Sequence, residues 1–193
     1  GFGFAGLHGK VANFRADETD ATDTLLFPDD AGKNTMANLF EVDAYFIRGD
    51  VTWQGQLSYG QQKKASITPA ADGALRTAKW YWLSTLVAYK FIPRYEAIAR
   101  FDYINNKKNG GGLLGYNFAD DRNGIGPESA GDPEVGAKRT ALTLGASYNF
   151  NLNTTFKVEY RIDRANLPVF VDVKDGSTSK TNQLFGASVL VFF

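Results

Sequence analysis

The chain has 193 residues, the size of one domain, and its 21 Lys+Arg balance its 21 Asp+Glu, so net charge suggests no polyanionic partner and no nucleic acid is expected. With no Cys and a single His, a disulfide framework, a thiolate metal site and a multi-histidine site are excluded, and no metal or cofactor is expected. Mean hydropathy is −0.28 and no run approaches the roughly 18 apolar residues of a membrane helix, so a membrane-spanning form has to be a β-barrel.

Period-two alternation predicts eight strands in one domain spanning residues 1–193. The first covers about Gly3–Arg15, with Ala5, Leu7, Gly9 and Val11 on one face and His8 and Lys10 on the other, which is read as the inner face. Its opening Gly1-Phe2-Gly3-Phe4-Ala5-Gly6 spells a dinucleotide motif without the preceding strand and following helix that motif needs. No basic segment or cleavage site precedes it, so the chain is expected to be mature or cut from a longer one.

The second strand, about Leu39–Arg48, sets Phe40, Val42, Ala44 and Phe46 against Glu41, Asp43 and Tyr45. The third, about Val51–Gln61, sets Val51, Trp53, Leu57 and Tyr59 against Thr52, Gln54, Gln56 and Ser58. In the fourth, about Lys79–Phe91, Tyr81, Leu83, Val87 and Tyr89 oppose Trp80, Trp82 and Leu86, which leaves its direction ambiguous. The fifth, about Tyr95–Ile104, sets Tyr95, Ala97, Ala99, Phe101 and Tyr103 against Glu96, Arg100 and Asp102.

The sixth, about Arg139–Phe150, carries Leu142, Leu144, Ala146, Tyr148 and Phe150 opposite Thr143, Ser147 and Asn149. The seventh, about Thr154–Asp163, places Phe156, Val158, Tyr160 and Ile162 opposite Lys157, Glu159, Arg161 and Asp163. The last, about Asn182–Phe193, alternates Phe185, Ala187, Val189, Val191 and Phe193 to its final residue. Phe185, Val189, Val191 and Phe193 are read as a membrane-assembly signature, because a tail ending on an aromatic resembles the closing strand of bacterial porins.

Connections alternate as well. Short ones follow Arg48, Phe91 and Phe150, and long ones cover about 16–38, 62–78, 105–138 and 164–181. Short turns on one side and long loops on the other are the arrangement of an up-and-down antiparallel barrel in the outer membrane, with short turns in the periplasm. Aromatics at the strand ends suit the headgroup zone, with Phe46, Trp53, Tyr89, Tyr95, Tyr148 and Phe193 at the periplasmic ends and Tyr59, Tyr81, Phe101, Tyr103 and Phe185 at the outer ends.

A strand charged on one side and apolar on the other cannot turn both to lipid, so the charges face a lumen. Glu41, Asp43, Arg100, Asp102, Lys157, Glu159, Arg161 and Asp163 are therefore the candidate pore-lining residues, either hydrated or paired as Arg–carboxylate ladders. Eight strands closing alone would fill their interior with these side chains, whereas eight strands within a larger barrel would line a channel.

Ala99-Arg100-Phe101-Asp102-Tyr103-Ile104 and Leu144-Gly145-Ala146-Ser147-Tyr148-Asn149-Phe150, with Thr154–Arg161 after it, resemble the C-terminal half of phosphate-selective-porin-like outer-membrane proteins. With Asn109–Gly115 and Asn123–Pro127, nearly the whole chain is similar to a Gram-negative porin-like family in which this region is the C-terminal part of a longer precursor. The resemblance implies further strands upstream, about sixteen in all. Acids match bases on the inner faces, so anion selectivity is not carried over.

The third long loop is expected to fold into the lumen as a constriction, with Lys107, Lys108, Asp120, Asp121 and Arg122 as its charged residues. The acidic first loop (Asp17, Glu18, Asp20, Asp23, Asp29, Asp30) could bridge divalent ions to lipopolysaccharide, but is read as a solvated loop. The functional expectation is a passive channel for small hydrophilic solutes or ions in the cell outer membrane, in contact with lipid and lipopolysaccharide and compatible with a homo-trimer or larger assembly. The alternative is a closed barrel that binds partners through its loops. An enzyme is not expected, because a rim triad needs a histidine and His8 lies mid-strand.

Overall fold

A computed structural model describes residues 1–12, 22–24, 33–65, 74–108, 138–166, 168, 170–172 and 174–193. Its strands are β1 (Phe2–Ala12), β2 (Asn34–Arg48), β3 (Val51–Gln62), β4 (Ala78–Ile92), β5 (Tyr95–Lys108), β6 (Lys138–Asn149), β7 (Thr154–Ala165), β8 (Phe170–Val171), β9 (Thr178–Ser179) and β10 (Thr181–Val191). Eight of them form one antiparallel up-and-down sheet in the order β1-β2-β3-β4-β5-β6-β7-β10. The described residues contain no helix. The sheet is not closed: β1 and β10 are its two edges, where the sequence predicts a continuous barrel wall.

All eight predicted strands are present, and the differences lie at their ends. β2 begins earlier because Asn34–Asn38, which do not alternate, pair with His8–Ala12. β5 runs on to Lys108, which pairs with Lys79, so Lys107 and Lys108 belong to a strand and not to the predicted constriction loop. β10 ends at Val191, and Phe193 lies beyond the last paired residue. The connection at 164–181, expected to be a plain loop, contains the β8–β9 hairpin. At its turn, the Ser177 hydroxyl and amide hold the Asp175 carboxyl below the ordinary aspartate range.

Short connections match their chemistry. Gly49 takes φ 56° at the first central position of the two-residue turn between Arg48 and Val51, where a side chain would be strained. Pro93 and Arg94 form the turn between Ile92 and Tyr95, after a bulge at Phe91.

The register assigns every strand a face. Phe40, Val42 and Phe46 align with Tyr59, Leu57 and Trp53; these continue through Tyr81, Leu83 and Val87 on β4 and on to β10. The ambiguous β4 is thereby settled, with Tyr81, Leu83, Val87 and Tyr89 on the apolar face and Trp80, Trp82 and Leu86 on the polar one. Six strands keep the predicted sidedness, β4 gains one, and β1 reverses it. Phe2 and Phe4 pair with Ala44 and Val42 on the apolar face, and His8 joins them opposite Asn38. His8 therefore does not line the polar face; its Nδ1 lies 2.5 Å from Asn38 Oδ1. Both faces of β1 carry apolar residues, so only the partner strand decides.

The apolar face is bare, with Phe2 84%, Phe185 72% and Val189 56% exposed. Polar atoms on it are largely bonded: Trp53 Nε1 donates to Thr85 Oγ1 at 3.0 Å, and Asn105 Nδ2 donates to the hydroxyls of Tyr81 and Tyr103 at 2.8 Å. Tyr95 and Tyr148 stack at 4.5 Å beside Phe156 and Phe150 near the short turns. The buried apolar core among the described residues is small, formed by Ala65, Ala78 and Trp80 on the polar side. Trp80 lies over Gly60, where an added Cβ would collide with the indole.

The sheet is also staggered. The row through Arg48, the last residue of β2, passes Val51, Tyr89, Ala97, Ala146 and Val158 and reaches β10 at Ala187, well inside that strand. Strand ends thus step steadily from β2 to β10, as tilted strands in a curved wall require. The same stagger puts Phe46 and Trp53 in one row with Tyr160 and Phe185.

Candidate functional site: the charged concave face

Side chains on the polar face crowd together, with Ser58, Trp80 and Asp163 buried while the bulky apolar ones on the other face stand exposed, so the polar face is the concave one, and two basins open on it. One, of about 450 Å³, is lined by Glu41, Asp43, Tyr45, Gln54, Gln56 and Arg100, among others. The other, of about 280 Å³, lies beside Trp82, Arg100, Asp102, Ile104, Arg139 and Arg161.

Alternation and register bring these charges together. Residues two apart on a strand share a face, so Arg100 and Asp102 are neighbours on β5 and Arg161 and Asp163 are neighbours on β7. Each arginine donates from both Nε and Nη2 to one oxygen of its aspartate, at 3.0 and 2.8 Å in both pairs. The two Arg-X-Asp forks are in register across β6: Arg100 aligns with Thr143 and Arg161, and Asp102 aligns with Ala141 and Asp163. Thr143 and Ala141 are small, so a trough runs between the forks.

Asp163 is 2% exposed and serves a second arginine, with Arg139 Nη2 donating to the same Oδ1 at 3.1 Å. The Phe170 ring of β8 lies 5.3 Å from the Arg139 guanidinium carbon, which ties the β8–β9 hairpin to this wall. Asp102 Oδ1 also accepts from Ser84 at 2.7 Å, and Glu41 accepts from Ser58 at 3.0 Å. Charge-assisted bonds of this kind keep ionised groups tolerable on a partly covered surface.

All eight predicted lining residues therefore fall on the polar face. Arg100, Asp102 and Arg161 line the smaller basin, and Asp163 is buried against Arg161. Glu41 and Asp43 lie on the larger one. Lys157 and Glu159 stand apart, nearer the short turn of β7, with Glu159 against Gly186. Arg139 was missed by the sequence reading. It stands at the start of β6 with the same parity as Thr143 and Ser147, and that parity was the signal that could have found it. Asp120, Asp121 and Arg122 lie outside the described residues, as do all the first-loop acids except Asp23. Phe185, Val189 and Val191 share the apolar face of β10.

A family model described as "Protein of unknown function (DUF3138)" matches residues 14–193. The chain belongs to that family. No curated protein and no solved structure matches it.

Proposed function

We propose that this chain forms part of the wall of an outer-membrane β-barrel channel through which small hydrophilic solutes or ions diffuse passively. The observation that carries this reading is the sidedness of the sheet. Bulky apolar residues cover the convex face, and ion pairs and amides cover the concave one, through a continuous register. An apolar surface of this extent in water is an aggregation liability, whereas in a bilayer it is the required exterior. Strand stagger, aromatic clusters near the short turns and the resemblance to porin-like proteins support the same reading. The short turns would then lie in the periplasm, the long connections would meet lipopolysaccharide, and further strands would join the edges at β1 and β10.

The test is electrical. The full-length protein, folded and inserted into planar bilayers, should give stepwise ion conductance. A folded, inserted protein that passes no current would overturn the channel and favour a closed barrel that works through its loops.

A further inference from the structure

We propose that the trough between the two Arg-X-Asp forks recognises a small solute in which a carboxylate is joined to a ring or short hydrocarbon body. This deepens the channel reading and rests on it, because solute must reach the concave face from water.

The charge presented to the trough is not the charge of its sequence. Asp163 is buried behind Arg139 and Arg161 and does not line the basin, whereas Arg100, Arg139 and Arg161 all do. Asp102 lines it, but its Oδ1 is taken by Arg100 and Ser84, and its Oδ2, which has no hydrogen-bond partner, is shielded from solvent. Guanidinium edges therefore dominate the wall although acids and bases balance along the strands. The Asp bonds of Arg100 and Arg161 use Nε and Nη2, which leaves both Nη1 groups able to grip a carboxylate across the strand between them.

The remaining surface is apolar. Trp82 and Ile104 are paired across β4 and β5, and Ile104 aligns with Arg139 on β6. With Ala141 they give the basin a hydrocarbon side beside its cationic one. A volume of about 280 Å³ suits one ring-sized molecule. A bare inorganic anion would leave the indole unused, and an amine would meet three guanidiniums.

The test is calorimetric titration of the folded full-length protein in detergent micelles with benzoate, acetate and benzylamine. Benzoate should bind about tenfold tighter than acetate, the factor expected when a ring leaves water, and benzylamine should give no binding heat. Trp82→Ala should abolish the preference for benzoate over acetate. Arg100→Gln with Arg161→Gln should abolish benzoate binding itself. If the double variant fails to assemble, Trp82→Ala still decides, because Trp82 belongs to neither fork. Equal binding of benzoate and benzylamine, or an unchanged preference in Trp82→Ala, would overturn the site. Conductance in bilayers without benzoate binding in micelles would remove the site and leave the channel; benzoate binding without conductance would do the reverse.

Discussion

Asp163 is the most constrained charge on the concave face. It is covered, and one of its oxygens receives both Arg139 and Arg161. Asp102 is more open and holds one arginine and a serine. Breaking a covered ion pair by deleting one partner costs more than breaking an exposed one, on the order of 3–5 kcal/mol against about 1. Asp163→Ala is therefore expected to lower stability well beyond Asp102→Ala, as measured by urea unfolding in lipid vesicles. Equal losses would mean that the second arginine contributes nothing. The motif Arg-X-Asp was readable at both places in the sequence, since alternation alone puts both side chains on one face. Their alignment across β6 was not readable, because it depends on the registers of two hairpins. The predominance of guanidinium over carboxylate on the lining was also hidden, because composition counts Asp163 and its burial against two arginines takes it off the exposed surface.

At the scale of elements, alternation specified six strand faces, where charged or amide side chains mark one parity as polar, and it left β4 open because Trp80, Trp82 and Leu86 oppose Tyr81, Leu83 and Val87. It failed on β1, where Phe2 and Phe4 compete with Leu7 and Val11, and the pairing of Phe4 with Val42 decides. Strand ends were missed for a related reason: ladder hydrogen bonds extend β2 and β5 past the last alternating residue. The parity of β10 has a sharp consequence. Val189 aligns with Phe156 on the apolar face, and Ser188 aligns with Lys157 on the polar one. Val189→Arg is expected to cost about 2–4 kcal/mol in a bilayer if the residue lies near the midplane. Ser188→Arg should cost much less. Folding into lipid vesicles, followed by denaturant titration, compares the two; matching losses would refute the assigned sidedness.

For the molecule as a whole, the three tryptophans report on the two faces. Trp53 stands on the convex apolar face, Trp80 is buried over Gly60, and Trp82 borders the charged trough. In single-tryptophan variants reconstituted into vesicles, acyl-chain bromine should quench Trp53 and spare the other two. Aqueous iodide should reach Trp82 more readily than Trp80. Bromine quenching of Trp82 at the level of Trp53 would place hydrocarbon on both sides of the sheet and end the channel reading.

The two unpartnered edges set the order in which such a wall can be built. Among the described residues no strand pairs with the outer side of β1 or β10, so the backbone amides and carbonyls there still need a mate. In water these rows invite stray strands. In hydrocarbon every unmet group costs several kcal/mol, so a half-made ribbon cannot enter first and close later. For the membrane wall proposed above, seam formation and membrane entry must then be a single event, and a mutation that weakens either border strand should be felt as failed biogenesis before it is felt as altered permeability.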